Sequence, residues 1–293
     1  MATTITIEDD KCICCGRCVD VCPSLVFAYD KSNGRDPGIA VKHLERCIRC
    51  GHCVAICPED AVIHEQLPSD MFLPLDPVSI SPEALRNLLL TRRSIRAYRP
   101  DPVPRSILKQ LLEVAVHAGT ASNSQNVEFV VIQERQLLGE LEALVIGTVW
   151  KNLKILGSPL LRRLAGLRYS EQQIKSFYLY YRAFKDALET GETRGWMLRG
   201  APAAILLHAP EKSTLSAANC ALAIANMTML AQTLGLGVCW IGFLVEAAQR
   251  SSRFNSILEI PYSRKILGCL VVGYPKYTYT KSVPRNPPHV KWL

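Results

Sequence analysis

The sequence has little charge and few aromatic residues. Charged residues make up 20% and aromatics 7% of its 293 positions, against 48% hydrophobic. That balance excludes a mainly disordered or fibrous chain, and the length allows a proper core and suggests about two domains. No G-x-G-x-x-G follows an apolar strand; Gly235 and Gly237 follow a helical stretch and lack the third glycine, which excludes a dinucleotide-binding Rossmann unit. G-x-S-x-G, H-E-x-x-H and a catalytic Cys–His signature are absent too, no general acid stands out, and no catalytic side chain is assigned. Met1 to Asp10 has neither a basic n-region nor an apolar h-region, so a cytoplasmic protein is expected.

Residues 213–245 carry no charge, which raises the question of a membrane span. Asn219, Asn226, Gln232 and Thr233 interrupt the stretch, and Gly235-Leu236-Gly237 breaks it, so it reads as helix, turn and strand. Ala217, Ala221 and Ala225 suit a buried helix of a soluble protein as well as a membrane helix pair. No membrane association is expected.

Charge is also unevenly spread. Residues 1–66 hold seven Lys/Arg and ten Asp/Glu, a net −3, whereas residues 67–293 hold 27 and 16, a net +11. An acidic head on a basic body argues against a nucleic-acid surface and suits a body that holds an anionic ligand.

Cysteine is the abundant exception. Of twelve, nine lie in the first 57 residues, and without a leader they favour metal binding over a disulfide framework. They form an internal repeat: Cys12-x2-Cys15-x2-Cys18-x3-Cys22-Pro23 returns as Cys47-x2-Cys50-x2-Cys53-x3-Cys57-Pro58. Three close thiolates grip one cubane, while the fourth, before proline, serves the other. One [4Fe–4S] cluster therefore takes Cys12, Cys15, Cys18 and Cys57, and the second takes Cys47, Cys50, Cys53 and Cys22. Structural zinc competes for the same thiolates, but its sites use two ligand pairs rather than triplets with a displaced fourth. Cys14 is surplus and reads as a bystander. Asn33-Gly34 and Pro37-Gly38 mark a turn-rich surface loop between Cys22 and Cys47. The ladder resembles the bacterial two-[4Fe–4S] ferredoxins over about residues 5–64.

The expected organisation is a cysteine-rich domain over 1–64, an extended proline-bearing linker over 65–82 and a larger domain over 83–293. Helices are predicted at 83–91, 105–117, 134–146, 170–190 and 214–234, and strands at 127–133, 202–208, 237–242 and 267–273. The layout is α+β or α/β. His208 reads as a strand-end histidine, His52 and His117 as equally ordinary, and Cys220, Cys239 and Cys269 as small buried hydrophobes. Phe177, Tyr180, Tyr181 and Phe184 recur at helical spacing within an extra helical region over 145–200. The bland reading of that stripe is core or interface; the sharper one is a substrate pocket shaped by Phe177 and Tyr181.

Two basic clusters bracket the larger domain: Arg92-Arg93-Ser94-Ile95-Arg96, and the run from Lys276 to Arg285. Guanidinium forks beside a hydroxyl suit phosphate. Between them lie Thr120-Ala121-Ser122-Asn123-Ser124-Gln125-Asn126, whose amides and hydroxyls suit a polar ring, and Gly235-Leu236-Gly237-Val238-Cys239-Trp240-Ile241-Gly242-Phe243, where Gly242 lets a backbone approach a ligand. Together the R-R-S-x-R, S-N-x-Q, G-L-G-x-x-W-x-G and Arg-Asn-Pro segments resemble the nitroreductase family of flavin enzymes over most of residues 83–293.

The resemblance implies an α+β fold, a homodimer and FMN at the subunit interface. It implies that Arg92, Arg93 and Ser94, with Arg96 nearby, hold the FMN phosphate and ring edge, and that Arg285 with Lys281 completes phosphate binding. Ala121, Ser122, Asn123 and Gln125 would reach the partner's flavin, and Ile241 and Gly242 would offer backbone near the reactive flavin nitrogen. The family often has an acidic residue where Ile241 stands, so only a main-chain contact carries over. The expected function is an iron–sulfur flavoenzyme that passes electrons from two [4Fe–4S] clusters to FMN and on to a small organic acceptor: a nitroaromatic, quinone, activated alkene or similar. A ferredoxin-type or NAD(P)H donor is left open. The alternative is a redox carrier between FMN and a protein partner.

Overall fold

A computed structural model describes residues 4–30, 38–167, 169–193, 195–213 and 215–293. The chain forms two compact units: Met1–Ser79 with Ala121–Ser124, and Ile80–Thr120 with Gln125–Leu293. The architecture is α+β.

In the first unit, strand β1 (Ile5–Ile7) pairs antiparallel with β4 (Val62–His64), and β2 (Phe27–Asp30) pairs antiparallel with β3 (Gly38–Val41). Two one-turn helices, α1 (Arg17–Asp20) and α2 (His52–Ala55), each begin after a glycine in the left-handed region, Gly16 and Gly51. The repeat extends to the backbone. Cys14, Gly16 and Leu25 have positive φ in the first copy, as do Arg49, Gly51 and Asp60 at the same places in the second. These turns fold each cysteine loop back on itself around a small core of Ile5, Val26, Phe27, Ile39, Val54 and Val62. The segment between Cys22 and Cys47, read from sequence as a loop, contains the β2–β3 hairpin. Val26, Phe27 and Ile39 bury against the core and so pull the flanks of the turn into strands. Asn33, Gly34 and Pro37, which suggested the turn, lie outside the described residues.

The second unit is built on an antiparallel sheet in the order β5 (Glu128–Ile132), β6 (Ala203–Pro210), β8 (Arg264–Gly273), β7 (Gly237–Trp240). Helices cover both faces, so β6 reads as a continuous apolar run with Ala203 to Ala209 all buried. Its side chains divide by the period of two. Ala203, Ile205, Leu207 and Ala209 join the core formed with α4 (Arg105–Val116) and α8 (Ser216–Thr233). Ala204 and Leu206 join the opposite core, formed with α5 (Arg135–Leu153), α7 (Glu171–Thr190), α9 (Gly242–Ala248) and α10 (Arg253–Ile257). The remaining helices are α3 (Pro82–Thr91), whose N-cap Ser81 accepts from the Ala84 N–H at 3.1 Å, and α6 (Pro159–Ala165).

Several expectations need correction. The helix expected over 134–146 continues to Leu153, because Val145, Ile146 and Val149 keep burying against the core. The strand expected over 237–242 ends at Trp240, and Gly242 opens α9 instead. The last strand begins earlier, at Arg264, where the side chain of that arginine is drawn into a polar cluster. On α8, Ala217 and Ala225 are exposed, and the buried face is carried by Asn219, Cys220, Ala223, Ile224 and Met227. Among the described residues, no helix is long and apolar enough to cross a membrane.

Candidate functional site

The first unit brings its cysteines together in two groups. Cys12, Cys15, Cys18 and Cys57 line one cavity, with Cys14 beside them, and Cys22, Cys47, Cys50 and Cys53 line the other. Each group joins three cysteines of one repeat to the last cysteine of the other, because the β1–β4 pairing folds the two copies face to face. Burial pushes the Cys18 thiol up to about 11, with the Cys12 and Cys57 thiols facing it. Cys53 is pushed up to about 11 in the same way, with Cys50, Cys47 and Cys22 around it. Buried facing thiols resist ionisation, and bound metal reverses that preference.

Backbone donors already point at the sulfurs. The Val26 N–H donates to Cys22 Sγ at 3.3 Å, and the Ala61 N–H, at the same place in the other repeat, donates to Cys57 Sγ at 3.3 Å. Two sets of four thiols, each drawn from both repeats and met by N–H···S donors, fit a cluster body.

One polar group here had no signal in the sequence. His64 is buried, and its Nε2 lies 3.7 Å from Cys47 Sγ. It is an ordinary strand position in the pattern, visible only once β4 is folded against the second cysteine group.

In the second unit, two of the motifs lie side by side. Ser94 forms a parallel bridge with Val238, and the Ile95 N–H donates to the Val238 carbonyl at 2.9 Å. Residues 92–96 are thereby held along β7. Arg93 Nη1 donates to the carbonyls of Leu90 at 2.8 Å and Arg92 at 2.7 Å, while its Nε is buried without a partner. A buried, unmatched guanidinium donor is costly, and an anion beside it removes the cost. Arg199 repeats the pattern: its Nε is also buried without a partner, and its φ of 62° is unusual for a non-glycine residue. Arg199 and Arg96 both act electrostatically on Tyr98, which burial pushes far above the usual phenol range and whose hydroxyl donates to the Ile95 carbonyl at 2.8 Å. The Arg-Gly-Ala-Pro setting of Arg199 gave no hint of this placement.

The other expected site residues are arranged less simply. The Ile241 N–H is taken by the Cys269 carbonyl at 2.8 Å, so the sheet already uses that donor. Gly242 is exposed, and a Cβ there would meet nothing within 4 Å, which leaves room for close approach. Ser122, Asn123 and Gln125 all have φ between 43° and 51°. Three such non-glycine residues in one short loop store strain of the kind found at functional sites. Ala121 and Ser122 sit in this turn, and within the first unit Asn123 Nδ2 donates to the carbonyls of Ile48 at 3.2 Å and Arg49 at 2.8 Å. Arg92 is half-buried and Arg96 exposed. At the tail, the Lys276 N–H donates to the Ala97 carbonyl at 3.0 Å, and Lys281 and Arg285 stand exposed beyond it.

His208 is not at a strand end. It lies inside β6 at a bulge, buried, with Nδ1 accepting from Arg264 Nε at 2.8 Å. Burial and the adjacent guanidinium hold its pKa below the ordinary value. Arg264 also donates to the Asn126 carbonyl at 2.7 Å and pairs with Glu128 at 3.1 Å, which pins the end of the strained loop to the sheet.

The aromatic stripe of α7 divides. Phe184 is core and packs on Trp196 and Phe243. Tyr181 stacks on Trp150 with ring centroids 5.6 Å apart. Phe177 and Tyr180, with Tyr169, Phe243, Asn152 and Arg250, line a cavity of about 640 Å³. Phe243 of this wall is the residue after Gly242 in the chain.

A model of the nitroreductase family matches residues 89–274, and a model of the 4Fe-4S dicluster domain matches residues 4–58. The nitroreductase NfnB of Mycolicibacterium smegmatis is 30% identical over 187 residues, 57% of this chain and 74% of that protein. An NAD(P)H FMN reductase of Bacillus subtilis is 25% identical over 202 residues, 68% of each chain. Among solved structures, a nitroreductase with bound FMN from Bacteroides fragilis superposes with a TM-score of 0.52 at 21% identity, covering 71% of this chain and 98% of that one.

Proposed function

The chain belongs to the nitroreductase family, with a 4Fe-4S dicluster domain matched over residues 4–58, and from that premise we propose that it is an iron–sulfur flavoenzyme reducing a small organic acceptor. The observation that carries the reading is the sorting of eight cysteines into two groups of four, each drawn from both repeats, ahead of a flavoprotein-type body. When bound, the clusters carry single electrons and FMN carries a pair, so the chemistry is the cofactors' and the protein supplies binding and orientation.

In this reading Cys12, Cys15, Cys18 and Cys57 hold one cluster and Cys22, Cys47, Cys50 and Cys53 the other. Arg92, Arg93, Ser94 and Arg96 hold the FMN phosphate and ring edge, aided by Lys281 and Arg285. Ala121, Ser122, Asn123 and Gln125 form a second wall from the partner subunit of a homodimer, and Ile241 and Gly242 face the ring through the backbone. The unmatched Arg93 Nε supports an anion there. The exposed apolar residues Ala217, Ala218, Leu222 and Ala225 of α8 support the dimer. The division into 1–64, 65–82 and 83–293 belongs to the same proposal.

The aromatic cavity lined by Phe177, Tyr180 and Phe243 favours turnover of a small planar acceptor over a carrier that serves only protein partners. The test is anaerobic reduction of reconstituted protein by NADH, NADPH or dithionite, followed spectroscopically, and then addition of nitroaromatic, quinone or activated-alkene acceptors. Flavin and clusters that bleach and are reoxidised by an acceptor support the reading. Protein that retains neither flavin nor iron sinks it. Cofactors that reduce but never pass electrons to any small acceptor return the carrier.

A further inference from the structure

The two cysteine repeats share their backbone turns but carry different residues seven places past the last cysteine. The residue seven past Cys22 is Tyr29, and the residue seven past Cys57 is His64. Tyr29 is 54% exposed and lies over Gly16, where an added Cβ would clash with its hydroxyl oxygen. In the second repeat, Phe72 and Leu67 cover Gly51 instead, at 3.1 and 3.6 Å from an added Cβ. Position 64 is thus released from shielding the glycine, and His64 turns inward to 2% exposure. The Gln66 N–H donates to Nδ1 at 3.2 Å. That bond leaves the ring proton on Nε2, which faces Cys47 Sγ at 3.7 Å.

We propose that His64 is a positioning residue of the second cluster, raising its reduction potential by donating its Nε2–H to Cys47 Sγ. The proposal rests on the reading that Cys22, Cys47, Cys50 and Cys53 hold that cluster. Reduction adds negative charge to the cluster and its thiolates, so a fixed donor stabilises the reduced form more than the oxidised one. Burial strengthens the effect by excluding competing water. The backbone donors to Cys22 and Cys57 recur in both repeats and cannot tell the clusters apart. His64 does, because Tyr29 stands in its place in the first repeat. This donor favours placing the electron on the second cluster.

The test is an EPR-monitored potentiometric titration of the anaerobically reconstituted full chain, comparing the native protein with His64→Phe and His64→Gln. Phe keeps a flat ring and removes the donor; Gln restores an N–H. The expected result for His64→Phe is at least a tenfold fall in the reduced-to-oxidised ratio of one cluster at fixed ambient potential, about 59 mV for a one-electron couple. The other cluster stays where it was, and His64→Gln recovers most of the shift. In the native protein with ring-15N histidine, pulsed EPR of the reduced state shows a 15N coupling that His64→Phe abolishes. Unmoved potentials in a fully loaded His64→Phe protein overturn the proposal, as does absence of that coupling in the native protein. If His64→Phe fails to take up its second cluster, the coupling measurement decides alone. A native protein that binds fewer than two clusters overturns the ligand reading instead.

Discussion

Gly237 lies against Ile95: a Cβ on Gly237 would come within 2.6 Å of Ile95 Cγ1 and 2.8 Å of its Cβ. The contact joins the basic motif at 92–96 to the glycine-bearing strand β7, two segments far apart in sequence. It explains why the second glycine of Gly235-Leu236-Gly237 is a glycine, on packing grounds alone.

Gly237→Ala should therefore push residues 92–96 off β7. The expected cost is about 1–3 kcal/mol, as for other overpacked positions, with weakened flavin retention. Ile95→Ala in the same chain should recover part of both losses, since the two residues share one contact. Thermal unfolding and flavin content after gel filtration check this; additive losses in the double variant would contradict it.

Cys57→Ala should remove the cluster assigned to the first repeat, although Cys57 lies in the second. Iron and sulfide should fall by about half, with the remaining EPR signal that of the cluster held by Cys22, Cys47, Cys50 and Cys53. Cys14→Ala, by contrast, should leave both clusters in place. Full iron in Cys57→Ala would show that Cys57 is not a required ligand, and loss of the other cluster instead would show that the fourth ligands are not exchanged between repeats.

Glu142 holds the loop before β6 by accepting from three backbone N–H groups, Gly195 at 2.8 Å, Met197 at 2.7 Å and Leu198 at 3.0 Å. Glu142→Ala strands those donors and should destabilise the fold by about 1–3 kcal/mol. Glu142→Gln keeps one acceptor oxygen and should fall between. Urea denaturation midpoints at constant slope decide; equal midpoints for all three proteins would mean the loop is held otherwise.

His208 predicts a pH dependence. Its folded pKa lies below the ordinary value of 6.5, so the unfolded chain binds its proton more readily. Its contribution is neutral to stability above about 6.5 and becomes destabilising as pH falls below that, because a protonated Nδ1 can no longer accept from Arg264. The denaturation midpoint of the native protein should drop more steeply between pH 7.5 and 5.5 than that of His208→Gln. Parallel profiles would refute the assignment.

The aromatic stripe separates two effects. Phe177→Ala enlarges the cavity beside Phe243 and should change the ranking of acceptors while flavin stays bound. Tyr181→Ala breaks the stack on Trp150 and should mainly lower stability, by about 0.5–1.5 kcal/mol beyond the lost buried area. Steady-state rates on several acceptors, alongside thermal unfolding, distinguish them. A selectivity change confined to Tyr181→Ala would reverse the roles.

Whatever depends on spacing along the chain is legible before folding. Strands β5, β6, β7 and β8 and helices α3, α4, α7 and α8 follow from apolar periodicity, and the division of the eight cysteines into two groups follows from two copies of one pattern. Those signals are local, and each residue's neighbours along the chain carry them. Short elements such as α9, α10 and the β2–β3 hairpin were not legible, because their apolar residues become meaningful only against a core supplied by distant segments.

Which side chains meet is set by packing. Nothing in the spacing says that His64 faces Cys47, that Gly237 touches Ile95, or that Arg264 reaches both His208 and Asn126. Nor does helical periodicity separate Phe177, on the cavity, from Tyr181, stacked on Trp150. Periodicity fixes the face of an element, whereas the partner on that face is set by how the elements pack. Here β4 against the second cysteine group, and residues 92–96 along β7, made those choices.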